Sequence, residues 1–388
     1  MLGSMMLAAA AMLQAHQSSL TPADYAADAR SIESLINANY AYLERFPGGK
    51  MPIGEKLRAE AAAVDSRDAL IRYAERALTV LADHHAITGS SLKDSWGLVP
   101  SYSDLWIEKR GTDYAITAVR PDTPASKAGI APGDRLTAVG GFAIGAAVEG
   151  FWTDLDLPVT PERAAFAARV LAIGRRSVPR SLSVARGGAP PRTSELPNLY
   201  YRDLLDRPVL SAIEQRDALW IRVNDSLGND RTIAAFDAAM ERAQPRQRII
   251  IDLTDTPGGG NTSVARAILG WFVAKPTQYQ VHNLPAEERQ TGIARQWIEQ
   301  VLPRPGKLHG GPVTVRVGRW TGSMGEGLAI AFDAIGARVE GDRMAGLLGA
   351  IHDYPLEKSG LVIKFPSERL FHVNGTPRER FIPQPIRR

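Results

Sequence analysis

The sequence contains no cysteine. That excludes disulfides, thiol catalysis and Cys-ligated zinc, and it does not by itself fix a compartment. It has no run of basic residues and no interleaving of aromatic with basic side chains, and its net charge is only +4 over 388 residues. Nucleic acid is therefore not an expected partner. Past the first fifteen residues no stretch approaches the apolar length of a membrane span, so none is expected. The Gly-Lys-Ser/Thr ending of a phosphate-binding P-loop, the GxGxxG spacing and a zinc-binding HExxH are also missing. What remains is ordinary for a globular protein, 44% hydrophobic and 23% charged. The length suits two or three domains.

Residues Met1 to Ala15 are rich in Ala, Met and Leu. They read as the apolar part of a secretory signal with a cut after Leu13-Gln14-Ala15, although no Lys or Arg precedes them; a frayed N-terminal helix is the alternative. Residues 1–18 are accordingly taken as a signal segment, and the mature chain is expected to be exported, to the periplasm or outside the cell.

Residues 19–95 read as helices. Thr21-Pro22-Ala23-Asp24 is a helix start with proline in the first turn, and Ile32, Leu35, Ile36, Tyr40 and Leu43 fall on one face. A second helical stretch ends at Asp83-His84-His85. Two histidines there allow three readings: surface residues stabilised by the helix dipole, a metal site short of a third ligand, or a general base.

From residue 96 to 195 the character changes. Tyr114 to Val119 alternates as a strand, and Pro121-Asp122-Thr123-Pro124-Ala125 through Pro132-Gly133-Asp134 to Gly140-Gly141 follows. This run resembles the PDZ signature. The resemblance implies a β domain that binds extended peptide at a sheet edge, or a spacer of the same shape with its groove closed.

Residues 205–388 alternate strand and helix. Arg248 to Leu253 is an apolar strand of the buried parallel type. The turn after it, through Pro257-Gly258-Gly259-Gly260, lets the backbone approach a ligand closely, as an anion or oxyanion loop or simply as a tight turn. A second strand, Pro312 to Val317, leads to Thr321-Gly322-Ser323-Met324-Gly325-Glu326, and apolar residues then recur at helical spacing. A serine between strand and helix start is either a nucleophile beside free amides or an N-cap, with Glu326 completing a capping box.

The segments Ile249 to Gly260, Thr321 to Gly336 and Asn374 to Pro383, in this order behind the PDZ run, resemble the C-terminal processing (tail-specific) serine protease family. The resemblance implies an α/β multidomain fold: a helical cap, a PDZ-like β domain and a ββα crotonase-like protease core. It implies peptide or protein substrates and no cofactor or metal. Ser323 falls on the family nucleophile. The position of the family's catalytic lysine holds Leu347, which cannot accept a proton, so the resemblance leaves either a Ser–His type serine endopeptidase or an inactive member that binds peptides or acts as a scaffold. The tricorn-like branch instead pairs the serine with a histidine in a Leu-x-Asp-x-His pattern and a glutamate near the C-terminus. By that resemblance Leu81-Ala82-Asp83-His84-His85 makes His85 the base and Glu379 its orienting acid; His352 and His372, both in the C-terminal core near the expected cleft, are the rivals of His85. The amides of Met324 and of Gly258 or Gly259 would hold the oxyanion. Activity is expected to rise through a pKa near the ordinary histidine value of about 6.5.

Overall fold

The computed structural model describes residues 20–199, 207–215, 217–224 and 227–386; the expected signal segment lies outside them. Three helices open the described chain: α1 (Pro22–Asn39), α2 (Glu55–Ala62) and α3 (Arg67–Thr79). The side chain of Thr21 caps α1, and Asp24 returns a bond to the Thr21 amide at 2.9 Å. Leu70, Ile71, Ala74, Ala77 and Leu78 make the buried face of α3. The chain then enters β1 (Ile87–Thr88) directly after His85.

The central stretch forms a six-stranded antiparallel sheet with the order β2-β3-β4-β6-β7, and β5 pairs with β4. Its strands are β2 (Leu105–Arg110), β3 (Asp113–Val119), β4 (Arg135–Val139), β5 (Phe142–Ala143), β6 (Arg180–Ala185) and β7 (Arg192–Leu196). Between them run α4 (Pro124–Lys127), α5 (Ile144–Thr153) and α6 (Pro161–Ile173). Helix α6 packs across β2.

The C-terminal stretch builds a second sheet, ordered β14-β13-β10-β9-β8. Strands β9 (Ala218–Val223), β10 (Arg248–Asp252), β13 (Val313–Val317) and β14 (Arg338–Gly341) are mutually parallel, and β8 (Leu210–Gln215) closes one edge antiparallel. Ile249, Ile250 and Ile251 of β10 are buried, as a strand covered on both faces requires. Crossovers are made by α7 (Arg231–Met240), α8 (Thr262–Leu269) and α10 (Met324–Ala334); α9 (Pro285–Thr291) lies outside this sheet.

A third sheet ties the two ends of the chain together. Its path is β1-β16-β11-β12, built from β11 (Thr277–Asn283), β12 (Gln296–Val301) and β16 (Val362–Phe371), and β15 (Ala350–Pro355) also pairs with β16. Ile87 of β1 stands opposite Lys364 of β16. One hydrophobic core joins the N-terminal helices, the central sheet and Leu361, Ile363 and Phe365 of the β16 region; a second lies around the parallel sheet. Among the described residues no helix is long and apolar enough to cross a membrane.

Candidate active site

Strand β13 delivers the chain to a tight turn. Gly322 donates its amide to the Thr256 carbonyl at 2.9 Å, which seats the turn on the loop after β10. A Cβ on Gly322 would stand 2.3 Å from the Pro257 carbonyl oxygen, so only glycine permits this approach. Ser323 follows with φ 50° and ψ −113°, a conformation that L residues rarely hold, and α10 starts at once. Both sequence readings of Ser323 meet here. It is the N-cap residue, and Glu326 accepts its amide at 2.8 Å. Its hydroxyl faces elsewhere: Ser323 Oγ lies 3.0 Å from Nε2 of His85.

His85 reaches this position because β1 pairs with β16. Its amide is accepted by the buried Asp83 carboxylate at 2.9 Å, and Asp83 also accepts the Tyr40 hydroxyl at 2.8 Å. The other ring nitrogen, Nδ1, lies 2.6 Å from the Leu348 carbonyl oxygen. A carbonyl can only accept, so Nδ1 carries the proton and the Nε2 lone pair is turned to Ser323. Burial, together with the charge of nearby Arg378, pushes His85 down to about 4, so the imidazole is neutral at pH 7.

The loop that supplies Leu348 is clamped from two sides. The fully buried Glu326 accepts the amides of Gly346 at 2.8 Å and Leu347 at 3.2 Å. The buried Arg378 donates to the carbonyls of Leu347 and Gly349, both at 2.8 Å. Burial raises Glu326 to about 7, against the opposing pull of Arg378 and its three amide donors. Leu347 is itself buried, and its backbone is the part that is used.

Facing Ser323 is the glycine loop. A Cβ at Gly258 would lie 3.6 Å from that of Ser323, and one at Gly260 would collide with the Met324 side chain at 2.6 Å. Among the described residues no acceptor is bonded to the amides of Gly258, Gly259 or Met324. The loop is braced by the central domain, since the Ser101 hydroxyl donates to the Pro257 carbonyl. Arg120 Nε also pairs with the buried Asp255 at 2.7 Å.

The structure therefore brings together Ser323, His85, Met324, Gly258 and Gly259. It does not bring Glu379 to His85. Glu379 lines the same cavity as Glu326, and among the described residues its buried Oε2 has no partner. His84 turns away, with Nδ1 2.7 Å from the Leu98 carbonyl and its ring stacked on Phe166. His352 bonds Glu368 at 2.7 Å and His372 faces Asp333, neither touching Ser323. Sequence reasoning missed the Leu348 carbonyl and the Arg378 clamp. A main-chain oxygen leaves no mark in a sequence, whereas Arg378, beside Glu379 in a segment already singled out, was within reach.

Residues 218–383 match the profile of "Peptidase family S41", and residues 115–145 match "PDZ domain". Among solved structures, the photosystem II D1 C-terminal processing protease is similar at 16% identity, TM-score 0.56, over 93% of each chain. Mature CPAF is similar at 13% identity, TM-score 0.56, over 95% of this chain and 93% of that one. These likenesses establish a common mixed α/β fold. No curated protein sequence matches.

Proposed function

We propose, from the premise that residues 218–383 are a serine-type peptidase domain of family S41, that the chain is an endopeptidase with Ser323 as nucleophile and His85 as general base. The observation that carries this reading is the 3.0 Å contact between Ser323 Oγ and a neutral, buried His85 Nε2. As Oγ bonds to the scissile carbonyl carbon, Nε2 takes its proton. The carbonyl oxygen becomes an oxyanion beside the free amides of Met324 and Gly258, a kind of donor worth roughly 3–4 kcal/mol. His85 then gives the proton to the leaving amine, and water repeats the cycle to free the enzyme. The Leu348 carbonyl stands where a triad carboxylate would. It fixes the tautomer and brings no charge to stabilise the imidazolium, so turnover is slower than with an acid in that place. Glu379 stays out of the proton transfer in this reading. The PDZ domain presents the peptide or protein substrate. Export rests on Met1 to Ala15, and an intact Met1 on protein from the native cytosol would overturn it.

A second reading, a peptide-binding protein without turnover, is favoured by one observation: among the described residues no carboxylate bonds to the His85 ring, whose two nitrogens meet the Leu348 carbonyl and Ser323. A fluorophosphonate probe separates the two. Labelling at Ser323 that falls roughly 10²–10⁴-fold in His85→Ala supports the peptidase; an unlabelled, folded protein supports the binding role.

A further inference from the structure

Between Trp106 and Arg169 of the central stretch and the Glu326–Arg378 clamp lies a cavity of about 120 Å³. Four arginines line it, Arg169, Arg319, Arg343 and Arg378, against two carboxylates, Glu326 and Glu379. Arg319 is spoken for by an ion pair with Glu108. The other three have no acidic partner among the described residues. Arg169 donates to the Ile107 carbonyl and Arg378 to two carbonyls, so their hydrogen bonds go to neutral acceptors and neither makes an ion pair among the described residues. Three cations against two acids leaves one positive charge in excess even with both acids ionised. Burial and the charge of Arg319 push Arg169 down to about 10, with Glu108 pulling the other way.

Two buried donors in the same wall are unused. Among the described residues Trp106 Nε1 and Arg378 Nε have no acceptor, although the two residues are 1% and 2% exposed. Such donors ordinarily find a partner. The faces of the Trp106 ring are occupied, with the guanidinium carbons of Arg169 and Arg319 at 4.9 and 5.0 Å from its centre, so only the N–H edge remains for a ligand.

We propose that this cavity is a binding site for a small carboxylate, held by the Arg378 and Arg343 guanidinia and the Trp106 indole N–H. Planar guanidinium forks match a carboxylate's two oxygens. The volume admits a group of a few heavy atoms. The unpartnered Glu379 Oε2 in the same wall limits the ligand to a single charge. The site does not depend on Ser323 being a nucleophile. It shares Glu326 and Arg378 with the clamp on residues 346–349, so its occupancy bears on the carbonyl that orients His85.

The test uses full-length Ser323→Ala protein with ¹⁵N-labelled tryptophan, the Trp106 indole resonance being assigned through Trp106→Phe. Sodium acetate is titrated at ionic strength held constant with sodium chloride. A saturating shift of the Trp106 indole N–H is expected, weakened at least tenfold in Arg343→Gln, whose exposed side chain can be changed without disturbing the core. N-acetyl-trialanine and its C-terminal amide distinguish the sources of the carboxylate. If the acid saturates below acetate and the amide does not bind, the ligand is a peptide terminus; if only acetate binds, it is a free small acid. Both outcomes uphold the site. No shift, a shift linear in acetate, or equal saturation in Arg343→Gln overturns it.

Discussion

At Ser323 the backbone stands at φ 50° and ψ −113°, a conformation that costs on the order of 1–3 kcal/mol. The strain presents the hydroxyl to His85 while Glu326 holds the amide behind it. Ser323→Gly is therefore expected to unfold at higher denaturant than Ser323→Ala, by about 1 kcal/mol or more, since both lose the hydroxyl and only glycine relieves the backbone; equal midpoints would remove the strain argument. The pH behaviour of His85 also differs from what its type suggests. The sequence leads one to expect a limb near 6.5, but burial and Arg378 bring the group to about 4. The rising limb of kcat/KM is expected near pH 4, with a plateau by pH 6, and a limb at 6.5 would mean a solvated imidazole. Stability follows with a defined sign. Between pH 4 and the unfolded value of about 6.5 the unfolded chain binds a proton at His85 that the native chain does not, so this residue's contribution is full above 6.5 and lost as pH falls toward 4. Urea titrations of wild type and His85→Gln across that window should converge as the pH is lowered.

Among the elements, the junction of β13 and α10 decides whether the site forms. Its geometry rests on Gly322, where an added methyl would press on the Pro257 carbonyl. Gly322→Ala should separate α10 from the glycine loop, destabilise the protein by about 2 kcal/mol or more, and abolish probe labelling even in the fraction that stays folded. Full labelling would show that the two elements adjust without loss. These elements were largely legible. The buried β10, the turn at Pro257 to Gly260, the strand before Thr321 and the helix after Ser323 all announce themselves through apolar runs and glycine placement. His85 was legible for a different reason, a short pattern joined to a family likeness. The Leu348 carbonyl was not, because its role comes from a loop shaped by Glu326 and Arg378, residues 20 or more positions away on other elements. Nor was the location of Glu379: its chain position suggested an orienting acid, and only the fold shows that it lines the cavity shared with Glu326 and Arg378.

Across the whole molecule, the central domain is fastened to the core by Asp255. That carboxylate accepts Arg120 from the central domain, and Arg207 and Arg222 from the core lie at 2.5 and 2.8 Å. Arg120 is buried, so Asp255→Ala leaves a guanidinium without its counter-charge and is expected to cost about 3–5 kcal/mol. Limited proteolysis should then cut between the domains, while an intact digestion pattern would assign the fastening to apolar contacts alone. One further consequence concerns how the protein is made. Ser323 and His85 are 238 positions apart, and β1 is held in place by β16, which is synthesised almost last. A chain emerging from the ribosome in N-to-C order carries His85 long before Ser323, and the strand that holds β1 in place comes only when nearly the whole length is out. On the proposed roles of Ser323 and His85, the site is therefore unable to react during synthesis. Nascent chains halted before residue 362 should resist fluorophosphonate, and those released at full length should acquire reactivity in a single step.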